Sequence, residues 1–321
     1  MGKPKIYITR KIPEHLLSPF NDRYEINMWK DEKTPIPEEI LFERVKEADG
    51  LLCLLTEKID RKFIEHASHL KIIANMAVGY DNIDVAAAKN KKIIVTNTPD
   101  VLTETTADLT FALLMATARR LIEATNTIYH DEWGDWSPFM LAGTDIHHKT
   151  IGIVGMGRIG EAVARRAKGF QMNVLYHNRT RNIHAERQLQ ATYVSFDKLL
   201  EESDFVVSLV PLTEETTNLF NQNAFQKMKE SGIFINVSRG GVVDEDALTE
   251  ALKQKTIRAA GLDVFKNEPI NSAQPLTKLK NAVLLPHIGS ASVTTRENML
   301  TLCLENIDLV FQGKTAKTPV Y

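Results

Sequence analysis

Short apolar runs alternate with amphipathic stretches through the first hundred residues. Runs typical of buried strands are "KIYITR" (5–10), "GLLCLLT" (50–56), "KIIANMAVG" (71–79) and "KIIVTNTP" (92–99). Between them, residues 37–48 and 60–70 place apolar side chains at helical spacing. Strands that alternate with helices predict a parallel sheet with helices on its faces.

A second series of the same kind begins at residue 150. Its predicted strands are residues 151–155, 173–178, 205–210, 233–238, 259–265 and 281–287. Its predicted helices are residues 158–169, "SFDKLLEES", "NQNAFQKMK" and "DEDALTEALKQK", and a last amphipathic helix over 293–313 ends at Gly313. The chain is therefore predicted to be α/β throughout, in two series.

The segment that joins the two series has a different pattern. Residues 103–128 predict one long helix that is apolar nearly all round, so we expect it to be buried, at a domain or subunit contact. Residues 129–149 have no clear period and contain Trp133 and Trp136. Such a segment is either a functional arm or a packed loop.

Composition and charge restrict the class of protein. The length of 321 residues favours two domains. A net charge of −2 provides no basic field for nucleic acid or an anionic membrane, and no run of apolar residues is long enough to span a bilayer. Two cysteines in apolar surroundings and the lack of a signal-peptide pattern favour a cytoplasmic protein.

The stretch "TIGIVGMGRIG" (150–160) contains the candidate nucleotide-binding motif. A predicted strand runs into Gly155, Gly157 and Gly160, and a predicted helix follows. In this context the glycines permit a tight turn, close approach of a pyrophosphate, and close packing of helix on strand. The motif alone is weak evidence, because an ordinary turn between strand and helix can have the same glycines.

The end of the second strand indicates which dinucleotide is bound. An acid is expected there for the ribose hydroxyls of NAD, but the sequence is "YHNRTR", with Asn178 in its place. Arg179 and Arg181 follow, and guanidinium groups bind phosphate well. The pattern favours NADPH over NADH, although arginines that only face solvent would look the same.

Three segments that follow predicted strands carry the candidate chemistry. They contain Arg239 in "NVSRGGVVDEDAL", Asp263 and Glu268 in "GLDVFKNEP", and His287 in "LLPHIGSAS". Ligands bind at the carboxyl ends of parallel strands, so these side chains could converge beside a nicotinamide. Arg239 would bind a carboxylate and carbonyl, His287 would donate a proton, and Glu268 would orient the imidazole and favour its charged form. A single histidine is more often structural; the position after a strand favours the catalytic interpretation.

These motifs, in this order and spacing, resemble the D-isomer-specific 2-hydroxyacid dehydrogenase family over nearly the whole chain. "GLLCLLTEKID", "MAVGYDNID" and "NTPDVLTETTADL" are most similar to its glyoxylate/hydroxypyruvate reductase branch. The resemblance implies two Rossmann-like or flavodoxin-like domains, with the cofactor domain inserted into a discontinuous substrate domain. The implied parts are residues 1–100 and 289–321 for the substrate domain and residues 101–288 for the NAD(P) domain.

The resemblance also implies roles for individual residues. Arg239, Glu268 and His287 would be catalytic. The substrate would be bound by Arg239, His287, Leu55, the backbone N–H groups of Val78 and Gly79, Ser290 and an aromatic residue, Trp136 before Trp133. The cofactor would be bound by Thr106, Gly155, Gly157, Arg158, Ile159, Gly160, Asn178, Arg179, Thr180, Pro211, Thr216, Val237, Asp263 and Gly289. Asp263 could equally be a capping or turn residue.

The remaining histidines do not indicate a metal site. His66 and His69 are three residues apart on a predicted helix, where a solvated face is the ordinary explanation. His147 and His148 are adjacent in a polar linker, and their side chains are expected to point apart. No ligand set joins either pair, so we predict no bound metal.

The combined prediction is NAD(P)H-dependent reduction of small 2-oxo acids, glyoxylate or hydroxypyruvate, to D-2-hydroxy acids by a homodimer. In the reductase branch the arm, here 129–149, reaches a second subunit; local packing of the tryptophans is the alternative. Alternative substrates are 2-ketogluconate, pyruvate as in a D-lactate dehydrogenase, and the substrate of a D-3-phosphoglycerate dehydrogenase. An NAD(H)-sensing corepressor-like binding protein shares the same three residues, whereas a methyltransferase has no need of them.

Overall fold

A computed structural model describes residues 2–321 as two compact units. The first unit comprises the chain up to Leu102 together with Ser292–Tyr321. The second unit is continuous and comprises Thr103–Ala291. The chain therefore leaves its first unit, completes a second one, and returns.

The first unit is built on a five-stranded parallel sheet. Its elements before the crossing are β1 (Lys5–Ile8), β2 (Glu25–Met28), α1 (Glu38–Val45), β3 (Gly50–Cys53), α2 (Arg61–His66), β4 (Ile72–Asn75), α3 (Val85–Asn90) and β5 (Ile94–Thr96). The strand order is β2-β1-β3-β4-β5. Every residue of β3 and β4 is buried, which agrees with their continuous apolar sequences.

The second unit is built on a seven-stranded parallel sheet. Its elements are α4 (Thr103–Ala118), α5 (Leu121–Tyr129), β6 (Thr150–Val154), α6 (Arg158–Gly169), β7 (Asn173–His177), α7 (Ile183–Leu189), β8 (Thr192–Tyr193), α8 (Phe196–Glu202), β9 (Phe205–Ser208), α9 (Gln222–Lys227), β10 (Ile233–Asn236), α10 (Glu245–Lys253), β11 (Ala259–Leu262) and β12 (Ala282–Leu284). The strand order is β12-β11-β10-β9-β6-β7-β8. The order reverses beside β6, where doubly wound sheets bind their ligands.

Apolar side chains cover both faces of the second sheet. Ile151 and Ile153 of β6 are buried in one cluster, and Val206 of β9 and Phe234 of β10 are buried in the other. Alternate residues of a strand point to opposite faces, so helices pack on both sides. The predicted fold class, two α/β domains with one inserted into a discontinuous other, is confirmed.

The prediction of one helix over 103–128 is wrong. α4 ends at Ala118, Arg120 adopts a left-handed conformation with φ 53°, and α5 starts at Leu121. The break has a tertiary cause, because the carbonyl oxygen of Ala118 accepts a hydrogen bond from the N–H of Thr144 at 2.8 Å. The predicted burial holds for α4, which packs against α6 and the strands β10 and β11 of its own unit.

The last helix, α11 (Val293–Phe311), returns to the first unit and packs on β3 and β4. The hydroxyl of Ser292 caps its first turn by accepting from the N–H of Thr295. The chain turns at Gly313, with φ 72°, close to the predicted end. The terminal segment then runs beside β5, where Pro319 bridges antiparallel to Thr96. No helix within residues 2–321 is long and apolar enough to cross a bilayer.

Candidate active site

The glycine loop lies between β6 and α6, at the point where the strand order reverses. Gly155 has φ 104°, and a Cβ on Gly160 would lie 2.3 Å from the carbonyl oxygen of Gly155. A Cβ on Gly157 would meet nothing within 4 Å. Gly155 therefore makes the turn, Gly160 permits close packing, and Gly157 leaves open space above the first turn of α6. This open space, beside Arg158 and Ile159, has the form of an anion site at a helix N-terminus.

Asn178, at the end of β7, is tied to the glycine loop. Its Oδ1 accepts a hydrogen bond from the N–H of Met156 at 2.6 Å. Thr180 follows and is exposed. In place of an acid, the structure has a neutral side chain that fixes the loop at this position.

The two arginines that follow have different surroundings. Arg181 makes hydrogen bonds of 2.9 and 2.6 Å to the two carboxylate oxygens of Glu186. The side chain of Arg179 is 87% exposed, and its guanidinium lies 3.4 Å from Glu215. Arg181 is therefore engaged within the fold, whereas Arg179 is accessible to a ligand.

The loop after β9 is closed by its own side chains. The hydroxyl of Thr216 donates to the carbonyl oxygen of Pro211 at 2.6 Å and accepts from the N–H of Thr213 at 2.8 Å. These bonds hold Pro211 at the carboxyl end of β9, the strand next to the glycine loop.

His287 and Glu268 form the centre of the candidate site. The Nδ1 atom of His287 lies 2.7 Å from Oε2 of Glu268, and both side chains are partly buried. The other carboxylate oxygen of Glu268 accepts from the N–H of Phe265 at 2.9 Å. The backbone of His287 is left-handed, with φ 53°, and its N–H donates to the carbonyl oxygen of Asp263 at 2.8 Å. The backbone N–H and the ring Nδ1 of His287 are both engaged within the fold, so Nε2 is the nitrogen available to a substrate.

The electrostatic surroundings of Glu268 keep it ionised. Burial alone would raise its pKa, but the hydrogen bonds from His287 and Phe265, with the charges of His287 and Arg239, outweigh burial and lower it. A carboxylate that stays ionised is a suitable partner for an imidazole that carries a proton.

Arg239 is held in the loop after β10 by a buried asparagine. Asn236 donates from Nδ2 to the carbonyl oxygen of Arg239 at 2.9 Å and accepts from the N–H of Ser238 at 3.1 Å. The next residue, Gly240, is pressed against the loop that leads to Glu268. A Cβ on Gly240 would lie 1.8 Å from the carbonyl carbon of Phe265. The loops of Arg239 and Glu268 are therefore in direct backbone contact.

Asp263 lies at the base of the same group of loops and is 1% exposed. Its Oδ1 accepts from the N–H of Ile288 at 2.8 Å, while its buried Oδ2 has no hydrogen-bond partner among the described residues. Burial raises the pKa of this carboxyl, although the hydrogen bond from the N–H of Ile288 acts to lower it. A Cβ on Gly289 would lie 3.3 Å from Oδ2, 3.5 Å from Thr106 and 3.6 Å from Val237. Four of the predicted cofactor residues thus meet around one unpaired oxygen.

Comparisons with known proteins assign the chain to a family. The family description "D-isomer specific 2-hydroxyacid dehydrogenase, NAD binding domain" matches residues 111–289. A glyoxylate reductase of Pyrococcus horikoshii is 50% identical over 322 residues, which cover 99% of this chain and 96% of that one. A glyoxylate reductase of Korarchaeum cryptofilum is 51% identical over 313 residues, which cover 97% of this chain and 94% of that one. This chain belongs to the D-isomer specific 2-hydroxyacid dehydrogenase family.

A solved structure agrees with this assignment. The NADPH-dependent glyoxylate/hydroxypyruvate reductase of Sinorhizobium meliloti, solved with NADP and malonate, superposes with a TM-score of 0.85 at 34% identity. The superposition covers 99% of this chain and 97% of that one. The second unit of our dehydrogenase is its NAD(P)-binding domain.

The residues of this domain fit a nicotinamide dinucleotide. Open space over Gly157 at the start of α6 suits a diphosphate. The unpaired, buried Oδ2 of Asp263 suits a donor such as the amide of a nicotinamide. Both features lie at the carboxyl ends of parallel strands, as the family fold requires.

The substrate residues predicted in the first unit of the dehydrogenase lie on two neighbouring loops. Leu55 follows β3, and Val78 and Gly79 follow β4. Asn82 joins these loops, because its Nδ2 donates to the carbonyl oxygens of Leu54 at 3.1 Å and Glu57 at 3.0 Å. Asn82 is not predicted from the sequence, where it is only a polar residue between two strands.

The tryptophans of residues 129–149 do not pack locally. The side chains of Trp133 and Trp136 are 66% and 78% exposed in the single chain.

Ser290, another predicted substrate residue, lies in the turn before α11, where the N–H of Ala291 donates to the carbonyl oxygen of Ile288 at 2.8 Å.

Two expectations about the other histidines are wrong. α2 ends at His66, so His69 is not on the same helix, because the N–H of Ala67 already turns back to the carbonyl of Ile64. His147 and His148 do not point apart; their rings meet edge to face, 5.2 Å between centroids. Within residues 2–321, no group of three or more histidine, cysteine or acidic residues is arranged to hold a metal ion.

Proposed function

We propose that this dehydrogenase reduces small 2-oxo acids, glyoxylate and hydroxypyruvate first, to D-2-hydroxy acids with NADPH as the preferred cofactor. The observation that carries the proposal is the His287–Glu268 pair, 2.7 Å apart, beside the Arg239 loop in an NAD(P)-binding domain. The proposal is supported by the glyoxylate reductases of Pyrococcus horikoshii and Korarchaeum cryptofilum, which share about half of this chain's residues over nearly its full length.

Each catalytic residue has a defined part in this chemistry. A bound nicotinamide supplies the hydride that reaches the keto carbon. His287 donates a proton from Nε2 to the developing alkoxide, and Glu268 stabilises the charged imidazole. Arg239 binds the substrate carboxylate and the carbonyl oxygen, which lowers the energy of the transition state as negative charge develops on that oxygen.

The first unit is proposed as the substrate domain. In it, the backbone N–H groups of Val78 and Gly79 would bind the substrate carboxylate, and Leu55 would contact the rest of the substrate. Ser290 is proposed to contact the substrate beside His287. N–H groups bind a carboxylate without adding a charge that would need neutralising when the site is empty.

Selection of NADPH is assigned to the end of β7. The acid that would repel a 2′-phosphate is absent, Asn178 is neutral, and Arg179 is exposed beside Thr180. Arg181 is excluded from this role by its two hydrogen bonds to Glu186. One arginine, Arg179, is therefore expected to bind the 2′-phosphate.

Replacing Arg179 by alanine is expected to lower the ratio of kcat/KM with NADPH to kcat/KM with NADH by at least about tenfold, the effect of one charge-assisted hydrogen bond. The matched control is Arg181→Ala, which removes a guanidinium two residues away and is expected to leave the ratio within about twofold. An unchanged ratio in Arg179→Ala, or an equal fall in both variants, contradicts the assignment.

We also propose that the dehydrogenase is a homodimer. Eight large apolar residues of α5 and the following arm are exposed: Leu121, Ile122, Ile128, Tyr129, Trp133, Trp136, Phe139 and Met140. A cluster of this size is unusual on a monomer and typical of a protein interface. The proposed occupant is a second copy, with Trp136 contributing to the partner's site.

Sedimentation analysis tests the dimer. The wild-type chain is expected to sediment as a dimer at micromolar concentration, and the double variant Trp133→Ser/Phe139→Ser as a monomer, because large aromatic side chains dominate interface energies. A wild-type monomer would contradict the proposal.

A panel of 2-oxo acids, each assayed with NADPH and NADH, tests the proposed function. We expect the highest kcat/KM with glyoxylate or hydroxypyruvate. A preference for 2-ketogluconate, pyruvate or 3-phosphohydroxypyruvate would overturn the substrate assignment. Negligible turnover on every compound would overturn the assignment as an enzyme.

A further inference from the structure

The two N–H groups proposed to bind the substrate carboxylate belong to peptide units whose carbonyl oxygens accept hydrogen bonds from the fold. The carbonyl oxygen of Ala77 accepts from the backbone N–H of Thr98 at 2.9 Å. The carbonyl oxygen of Val78 accepts from Nδ2 of Asn97 at 2.8 Å. Two adjacent peptide units are thus bonded to the same short segment after β5.

These bonds determine the direction of the N–H groups. In a trans peptide the C=O and the N–H point in opposite directions. A bond to the carbonyl of Ala77 therefore turns the N–H of Val78 away from residues 97–98, and a bond to the carbonyl of Val78 turns the N–H of Gly79 the same way. Neither N–H donates to any residue in the described range 2–321. Both are therefore left to a ligand.

A third bond holds the far end of the loop. Nδ2 of Asn75 donates to the carbonyl oxygen of Gly79 at 3.0 Å. Asn75 itself is fully buried at the end of β4. The loop 77–79 is thus attached to the fold at three successive carbonyls, and Asn97 provides the central attachment.

Asn97 is held in place by the C-terminal segment. Its N–H donates to the carbonyl oxygen of Thr318 at 3.3 Å, and its carbonyl oxygen accepts from the Thr318 hydroxyl at 2.7 Å. That hydroxyl accepts from Nδ2 of Asn306 on α11 at 2.9 Å. Asn306 is fully buried, and its Oδ1 also accepts from the backbone N–H of Lys317 at 2.7 Å. The amide of Asn97 therefore has a rigid support.

We infer that Asn97 is a positioning residue for the substrate carboxylate: its side-chain amide sets the orientation of the Val78–Gly79 peptide, and Thr318 and Asn306 hold Asn97. The inference rests on the proposed function, since it concerns the carboxylate of a 2-oxo acid. Loss of the Asn97 amide frees the peptide to rotate, which weakens binding of the carboxylate and leaves the NAD(P) domain untouched.

The test is the affinity of oxamate, an unreactive 2-oxo acid analogue, for the enzyme saturated with NADPH. Asn97→Ala is expected to raise the oxamate inhibition constant and the glyoxylate KM by about tenfold, which is the effect of losing one charge-assisted hydrogen bond. The NADPH dissociation constant is expected to change by less than about twofold. Asn97→Asp, which has the same shape but places a carboxylate against the carbonyl of Val78, is expected to lose more.

Asn281→Ala is the matched control. Asn281 donates from Nδ2 to the carbonyls of Leu252 and Arg258, both at 3.1 Å, at the amino end of β12. Like Asn97, it bonds from a side-chain amide to backbone carbonyls. It lies at the amino ends of the strands, whereas the candidate site lies at their carboxyl ends. This variant is expected to lose stability without any change in the oxamate constant. Should Asn97→Ala fail to fold, Thr318→Val removes the hydroxyl that bonds to the carbonyl of Asn97 and keeps the backbone bond to its N–H. This variant is expected to raise the oxamate constant in the same direction, but less.

The outcomes separate the two claims. Wild-type enzyme that neither reduces glyoxylate nor binds oxamate overturns the proposed function, and this inference with it. Active wild-type enzyme whose Asn97→Ala variant keeps the oxamate constant within about twofold overturns the positioning role alone. Equal increases in Asn97→Ala and Asn281→Ala also overturn it, since they would reflect general destabilisation.

Discussion

Replacing His287 by asparagine is expected to lower kcat with glyoxylate and NADPH by roughly 10²–10⁴-fold, because the variant has no group that can transfer a proton to the alkoxide. Asparagine is the suitable substitute because it tolerates the left-handed backbone found at this position, φ 53°. The loss is expected in kcat at saturating NADPH, since His287 acts on the reacting oxygen. Steady-state measurement of NADPH oxidation gives the result.

Glu268→Gln is the companion variant. In the present chain, Nδ1 of His287 lies 2.7 Å from the carboxylate of Glu268. Glutamine can still form a hydrogen bond to Nδ1 but provides no negative charge. Its loss of kcat is expected to be smaller than that of His287→Asn. Near-normal turnover in His287→Asn would overturn the acid–base assignment; a larger loss in Glu268→Gln would transfer the main role to the carboxylate.

The second large effect is expected at Gly240. A Cβ there would lie 1.8 Å from the carbonyl carbon of Phe265 and 2.2 Å from the N of Lys266, and both are backbone atoms. Gly240→Ala must therefore separate the Arg239 loop from the loop that holds Glu268. We expect at least about 3 kcal/mol of lost unfolding free energy. Any folded fraction is expected to lose most of its activity, because Arg239 and His287 no longer meet the same substrate.

Gly241→Ala is the matched control at the next residue. A Cβ on Gly241 would meet only the end of the Leu212 side chain, at 3.0 Å, which can move. We expect Gly241→Ala to stay within about 1 kcal/mol of wild type in chemical denaturation and to remain active. Similar behaviour of the two variants would show that the contact between the loops is not what makes Gly240 necessary.

The parts of this structure that follow from sequence are those with local causes. The glycine loop is predictable because three spaced glycines between a strand and a helix favour that turn. His287 and Glu268 were predicted to meet because the carboxyl ends of parallel strands share an edge. The fold class follows from the alternation of apolar runs and amphipathic stretches.

Two of the features that the sequence does not predict depend on tertiary contacts. The break at Arg120 arises where Thr144 takes the carbonyl of Ala118, which no local pattern indicates. The difference between Arg179 and Arg181 comes from a short-range contact: Arg181 bonds to Glu186, five residues later on α7, and the sequence pattern does not distinguish the two arginines. Asn97 begins the stretch "NTPDVLTETTADL", but that stretch does not indicate its bond to a backbone carbonyl 19 positions earlier.

Small elements at the sheet edges were also missed. β2 alternates exposed and half-buried residues over four positions, "EINM", so it has no apolar run to detect. β8 has two residues and α7 has seven, with only Ala185 and Leu189 of α7 buried. Edge elements bury less apolar surface, so their sequences are less constrained.

In the proposed reaction a 2-oxo acid receives a hydride from the nicotinamide and a proton from His287, and the product is the D-hydroxy acid. The most direct measurement is the configuration of the glycerate formed from hydroxypyruvate and NADPH by the purified enzyme. We predict D-glycerate alone, in an amount equal to the NADPH consumed. Formation of L-glycerate, or of no glycerate, would contradict it.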